Sequence, residues 1–444
     1  MNVARGSMSA VPALTAPRRP RKLSLAERTT STGLRVIAVR KPGVPLAEIR
    51  LRIPFLGAGA THPARAALLA DTLLTGAGPH DRAGLAAAVQ ALGGELHVGV
   101  DADRLAVTGN VLATGLPGLL DLLALVLTEP TLDAGEFATE RDREIERLTI
   151  ARSRAGTIAS ETLATRMWGQ HPYSLDLPQP DALATATPAQ VRALHRDRVH
   201  PGGAVLVVVG DVSPAKVVDL AERALGTWTG NGATPRIPKL RHAPEDPLLV
   251  VDRPDSVQSS LRMGADAVGR TDERYPALQL ANLVFGGYFS SRWTENIRED
   301  KGYTYGPHSR IDHHVLGSMV MLDVEVASEV TAPAILETRY ELGRIASLPV
   351  TDDEVESVRQ FAIGTLALST ATQAGLASTL SQLSAFGLGL EWVLEHPRRL
   401  AKVTRDDVGA AAAEFLAPSR FTSVIVGDAQ QIAGPLAALG PIET

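Results

Sequence analysis

The stretch WTENIREDKGYTYG, Trp293 to Gly306, sets an arginine and a tyrosine, Arg298 and Tyr305, at a short fixed spacing inside a chain otherwise rich in Ala and Leu. A guanidinium and a phenol both donate hydrogen bonds. Converging on one point, they can bind a peptide carbonyl and stabilise the charge that grows on its oxygen during hydrolysis. The same pair can instead stack, Arg on Tyr, and close a corner between a helix and a strand. Ser290 or Ser291 suits the N-cap of a helix running to about Lys301, with Trp293 and Ile297 an i,i+4 apolar pair facing the core. Gly302 fits the left-handed position that ends such a helix. Tyr303 to Tyr305 then start a strand leading toward MVMLDVEVA, and Arg298, favoured near the helix C-terminus by the dipole, reaches across to it.

Other residues with chemical potential are fewer. Cysteine is absent, which removes disulfides, a thiol nucleophile and thiolate metal sites. Neither H-x-x-E-H nor H-E-x-x-H occurs; the nearest approach is WVLEH, where Trp392 stands at the first histidine and Pro397 follows His396. His313 and His314 are neighbours on an expected strand and so point to opposite faces, and His308 meets His313 at a metal only through an unusual loop. The eleven histidines therefore read as scattered surface groups. Gly286 and Gly287, in FGGYFSS, read as a flexible loop beside the helix or simply as the turn into it; Lys and Ser/Thr do not follow at the spacing of a phosphate loop.

The elements that must position these residues are written twice. GLRVIAVRKPGVPLAEIRLRI (33–53) reads as two strands around a Pro-Gly turn, and PLLVVDRPDSVQSSLRMGA (247–265) has the same plan. The halves close on similar apolar strands, AVLVVVGDVSP and TSVIVGDAQQI, whose Gly-Asp pairs at 210 and 427 lie 217 positions apart. Helical stretches at 115–128, 133–155 and 352–384 occupy the middles. The expected fold is α+β: two homologous domains, each a mainly antiparallel sheet with helices packed on one face, together clam-shaped. A chain of 444 residues is too long for one core. The expected boundaries are a disordered arm at 1–24, domains at 25–230 and 247–444, and a Gly/Pro-rich linker at 231–246.

The net charge of −5 offers no basis for a nucleic-acid partner. The N-terminus lacks an apolar run of signal-peptide length, and no stretch of about 18 apolar residues spans a membrane. A cytoplasmic protein is expected.

Two similar halves joined by a linker resemble the pitrilysin/insulinase-like metallopeptidases, the inverzincins, whose zinc motif is H-x-x-E-H on a helix. The resemblance is carried by GLRVIAVRKPGVPLAEIRLRI, by LLTGAGPHDRAGLAAAVQALGGELHVGVDADRLAVTG (73–109), by VLVVVGDVSP and above all by FGGYFSSRWTENIREDKGYTYG (285–306). It places the zinc helix on ALLAD. Ala67 and Asp71 stand where the two histidines belong, and Ala70 where the glutamate base belongs. In ERDREIER, Arg147 falls at the distal ligand and Glu140 at an accessory acid, while GGELHVG resembles the edge strand that pairs with extended substrate. Three protein ligands are needed for a catalytic zinc, and an arginine beside the site opposes it. The resemblance thus implies no metal or cofactor in this chain. In short-chain members that work as two-subunit enzymes, one subunit carries zinc and the other supplies an Arg/Tyr pair, which Arg298 and Tyr305 match in type and spacing. The expected partner is a homologous H-x-x-E-H zinc subunit in a heterodimer, with a peptide as substrate. The alternative is a catalytically dead scaffold in a larger assembly.

Overall fold

The computed structural model describes residues 23–175, 177–230, 237, 240 and 247–444. The arm expected at 1–24 lies outside the described residues up to 22, and the linker at 231–246 lies outside them except for 237 and 240. Ser24 already belongs to the first strand. Trp228, inside the Gly-rich approach to the linker, is a core residue: it is buried, and its indole N–H donates to the Val199 carbonyl at 3.1 Å.

The first half contributes β1 (Ser24–Thr29), β2 (Arg35–Arg40), β3 (Leu46–Pro54), a two-residue hairpin β4 (Gly76–Ala77) and β5 (His80–Asp81), then β6 (Glu95–Val100), β7 (Arg104–Leu112) and β8 (Val205–Gly210). The second contributes β9 (Leu248–Asp252), β10 (Gln258–Ala267), β11 (His308–His314), β12 (Gly317–Ala327), β13 (Thr422–Gly427) and β14 (Ile442–Glu443). The first sheet runs β1-β2-β8-β3-β7-β6 and the second β11-β12-β10-β13-β9-β14. Read from opposite ends, the orders coincide, so β6 corresponds to β11, β8 to β13 and β2 to β9. Only the outer position differs. In the first sheet it is filled by the antiparallel β1, in the second by the parallel β14. The remaining parallel pairs are β2–β8 and β13–β9, so both sheets are mainly antiparallel. The α+β, two-sheet architecture holds.

Why β8 and β13 are nearly pure apolar runs follows from their covering. Every residue of VLVVVG and TSVIVG is buried, the pattern of strands packed on both faces. Leu206 and Val208 point into the first half's own core, beneath its helices, whereas Val205, Val207 and Val209 face Leu376, Leu380 and Leu383. Those leucines belong to the Gln373–Ser384 helix of the second half. Reciprocally, the Ala155–Trp168 helix of the first half lays Leu163 and Met167 on Met319, Met321 and Val424 of the second sheet. Each half thus roofs the other half's sheet.

The helix expected at 133–155 is present as Ala134–Arg152 and a separate helix follows it, whereas the one expected at 352–384 is broken in two. Ala134–Arg152 ends before Ala155–Trp168, and Asp352–Ser369 before Gln373–Ser384. At each break the chain turns and sends its second helix across. Gly156 and Gly375 stand in the first turns of the crossing helices. A Cβ at Gly156 would meet the Arg262 guanidinium at 2.6 Å, and one at Gly375 the Ser369 carbonyl at 2.0 Å.

Candidate functional site

The corner that holds Arg298 is built on Trp293, fully buried and stacked on Phe285 at 5.3 Å, its N–H donated to the Thr338 hydroxyl at 3.0 Å. Ile297 is equally buried. Arg292 forks onto Glu354 at 2.6 and 2.9 Å; burial alone would raise that carboxyl, but Arg292 and Thr351 bring it down to about 2. The expected helix is present, but only Arg292–Thr294 is α-helical and Glu295–Asp300 is a π turn, a wide turn that recurs at functional sites. Ser291 precedes it without capping a backbone N–H; its hydroxyl pairs with that of Thr294. Gly302 adopts φ +65°, and the Tyr303 N–H closes the turn on the Ile297 carbonyl at 2.8 Å.

Two expectations are corrected here. Tyr303 to Tyr305 form no strand: the segment stays irregular until β11 opens at His308, and it is pinned instead by the Thr304 hydroxyl, which donates to the Glu325 carbonyl at 2.7 Å. Gly286 and Gly287, expected as a flexible loop, lie in a packed π turn, Leu283–Gly287. A Cβ at Gly286 would strike the Trp293 ring at 2.8 Å, and one at Gly287 the Asn282 amide at 2.8 Å. Close approach, not freedom to move, calls for glycine there.

Arg298 and Tyr305 are brought together. The guanidinium carbon lies 5.5 Å from the Tyr305 ring centroid and 4.7 Å from that of Phe289, and its Nε is 3.2 Å from Glu299. Tyr305 is 92% exposed and Phe289 66%. An arginine between two exposed rings keeps its in-plane N–H edge for a ligand. Phe289 was not singled out from sequence; an aromatic after Gly-Gly carries no local mark of facing an arginine.

The segment aligned with a zinc helix is the His62–Thr72 helix, which crosses Ala134–Arg152. Between them lies a pocket of about 500 Å³ whose wall includes Ala67, Ala70, Asp71, Glu144 and Arg147, with Val98 to Val100 of the edge strand β6 on one side. Arg147 reaches Asp71 at 3.7 Å and pairs closely with Glu144. Burial pushes both carboxyls up from their ordinary values, against the pull of Arg147. Glu140, one turn away, binds Arg82 and Arg143 instead. Glu144 was missed in the sequence, although it stands i,i+3 from Arg147. His62 also borders the pocket, but its Nε2–H donates to the Phe55 carbonyl at 2.9 Å. Alanines at 67 and 70 offer no donor, and the two carboxylates already share a cation. This donor set does not suit a zinc ion. Among the described residues no three His, Cys, Asp or Glu side chains gather as metal ligands.

A larger cleft of about 1050 Å³ lies between the Ala155–Trp168 helix and the second sheet, and it shares Ala102 and Leu177 with the first pocket. At its edge Asp103 accepts from the Tyr173 hydroxyl at 2.7 Å and from the Val315 N–H at 3.1 Å, while the Leu316 N–H donates to Tyr173 at 3.0 Å. Burial would raise the Asp103 carboxyl; hydrogen bonds from His314, Tyr173 and Val315 hold it below its usual value. This stitch joins residues remote in sequence, and nothing local announces it.

The histidines are not all surface groups. His171 and His396 are buried, and His313 packs between Tyr275 and Phe386 while His314 faces Tyr173 on the other side of β11. Trp392 of WVLEH stacks on His396, whose Nε2 meets Gln279 at 2.7 Å. Burial lowers His313 and His396 to about 3. An unfolded chain takes those protons near the ordinary 6.5, so their contribution is complete above that pH and is lost as pH falls from about 6.5 toward 3. The midpoint of thermal unfolding should drop steeply over that window, and His396→Gln should flatten the drop; an equal slope in the variant would refute the assignment.

Residues 66–181 match the family model described as insulinase (peptidase family M16), and residues 185–361 the one described as peptidase M16 inactive domain. The chain is 25% identical over 418 residues to an uncharacterized zinc protease of Mycobacterium tuberculosis, covering 91% of this chain and 94% of that protein. It is 27% identical over 236 residues to the probable inactive metalloprotease YmfF of Bacillus subtilis, covering 50% and 54%. The fold is shared with the peptidase M16 inactive domain from Pseudomonas fluorescens, at a TM-score of 0.84 and 22% identity over 91% of this chain and 98% of that one. A protease from Helicobacter pylori superposes with a TM-score of 0.82 at 16% identity, over 91% and 100%.

Proposed function

Since the chain belongs to the insulinase-like peptidase family M16, we propose that it is the non-catalytic subunit of a two-chain zinc peptidase, lending Arg298 and Tyr305 to a partner that carries the metal. The observation that carries this reading is the contrast between its two sites. The helix aligned with the zinc motif keeps Asp71 alone at the motif positions, and it is paired with Arg147, whereas the Arg298–Tyr305 corner is complete, braced by Trp293, Arg292 and Gly302 and open to solvent.

In this reading the partner, a homologous H-x-x-E-H chain, supplies zinc, its ligands and the glutamate base. This chain binds the scissile carbonyl. The Tyr305 hydroxyl and the N–H edge of Arg298 donate to its oxygen, and their donation strengthens as that oxygen gains charge. A chamber closed between two chains admits peptides or flexible segments and shuts out folded domains. The work is proposed to be cytoplasmic, with neither nucleic acid nor membrane as partner; no helix among the described residues is long and apolar enough to cross a membrane.

The test is reconstitution with the H-x-x-E-H chain of the same genome. A one-to-one complex on size exclusion, with hydrolysis of an unstructured peptide in the mixture and none by this chain alone, is the expected result. Absence of a complex, or hydrolysis by this chain alone with one zinc bound, would overturn the reading. A complex whose turnover ignores both Arg298 and Tyr305 would favour the scaffold.

A further inference from the structure

We infer that Arg147 is a built-in replacement for the metal ion: its guanidinium ties together, by charge, the two helices that zinc would tie by coordination. The inference is independent of whether the chain works as half of a peptidase. It rests on where the charges stand. Asp71 comes from the His62–Thr72 helix and Glu144 from the Ala134–Arg152 helix, and Arg147 pairs with both. Glu144 is 4% exposed and Asp71 23%, so neither carboxylate has full access to water as an alternative partner. The Arg147 side chain is 66% exposed and lines the pocket.

Arg147 offsets one of the two carboxylate charges that meet at this pocket. A site with neutral imidazoles and one or two carboxylates calls for a divalent ion. Here the imidazole positions are Ala67 and Asp71, and the acids that remain are Asp71 and Glu144. One guanidinium nitrogen, Nη2 of Arg147, faces both. It is covalently held, so it neither dissociates nor competes with other metals. Removing one partner of such an arrangement strands a buried charge, whereas removing all of them together strands none.

The experiment measures thermal unfolding of the full chain with EDTA and with added zinc chloride. The wild-type midpoint should be the same in both. Arg147→Ala should lower it by several degrees, and the triple variant Asp71→Asn, Glu144→Gln, Arg147→Ala should recover most of that loss. Arg147→Glu gathers three carboxylates around the pocket; it should be the least stable in EDTA and should rise with zinc. The inference is overturned by Arg147→Ala melting like wild type, by a triple variant no better than the single one, or by Arg147→Glu indifferent to zinc. It is equally overturned by a wild-type midpoint that climbs when zinc is added. Should Arg147→Glu prove insoluble, the comparison of the single and triple variants decides by itself.

Discussion

Tyr305→Phe in the proposed two-chain peptidase, once reconstituted, should lower kcat about 10²- to 10³-fold, the loss that follows removal of one preorganised donor to a developing oxyanion. The substitution deletes a hydroxyl from a side chain that is 92% exposed, so it leaves no cavity and strands no buried group. Assembly with the partner should be unchanged. Because the donation matters most in the transition state, kcat and kcat/KM should fall together, with KM little altered. Arg298→Ala should cost at least as much, and Arg298→Lys should rescue it poorly, since an ammonium keeps the charge but lacks both the fork of donors and the flat face that rests on Phe289 and Tyr305. Steady-state kinetics on one peptide, with size exclusion to confirm the complex, check all three. Turnover that survives both Tyr305→Phe and Arg298→Ala would reduce the corner to a piece of packing.

Severing the chain between Gly230 and Pro247 should leave neither fragment folded alone, although each contains a complete sheet. The first would bare Ile37, Val39, Val205, Val207 and Val209, a contiguous apolar face that the Gln373–Ser384 helix covers in the whole molecule. The second would bare Met319, Met321 and Val424. A face of that kind invites aggregation until its cover returns. Mixed, the fragments should complement one another. In the intact chain, Leu380→Ala should cost about 2–5 kcal/mol, as a fully buried leucine does on truncation. Leu380→Asp should exceed about 4 kcal/mol by placing a carboxylate against valines. Because Leu380 belongs to the second half yet packs on the first sheet, its loss should unfold both halves in one denaturant transition. Two separate transitions, with the first half unperturbed, would show that the halves are energetically independent.

Local chemistry made much of this legible in advance. Gly302 announces a left-handed helix end, and Trp293 with Ile297 a buried stripe, because each follows from neighbours within one turn. The apolar runs of β8 and β13 announce strands, but that both of their faces are covered was not read from them. What covers the second face is not written there, since a helix with an apolar stripe does not say which sheet it meets; the crossings after Arg152 and Ser369 escaped for that reason. The positions Ala67, Ala70, Asp71 and Arg147 were readable by alignment, and the structure gathers them around one pocket. Their pairing with Glu144 depended on the register of two helices. The Asp103–Tyr173–Val315 stitch joins both halves and has no sequence signature. Nor does His313, set by Tyr275 and Phe386 from separate elements; His396 has Trp392 one turn before it on its own helix, but Tyr275 and Gln279 reach it from another.

The exchanged roof helices also limit how the molecule can move. Two leaves that each wear the other's lid cannot swing apart about the segment that joins them without first undressing two apolar faces. In the proposed two-chain reading, a chamber able to admit a peptide must then gape along the seam where one polypeptide meets another, with each polypeptide travelling as a single stiff shell.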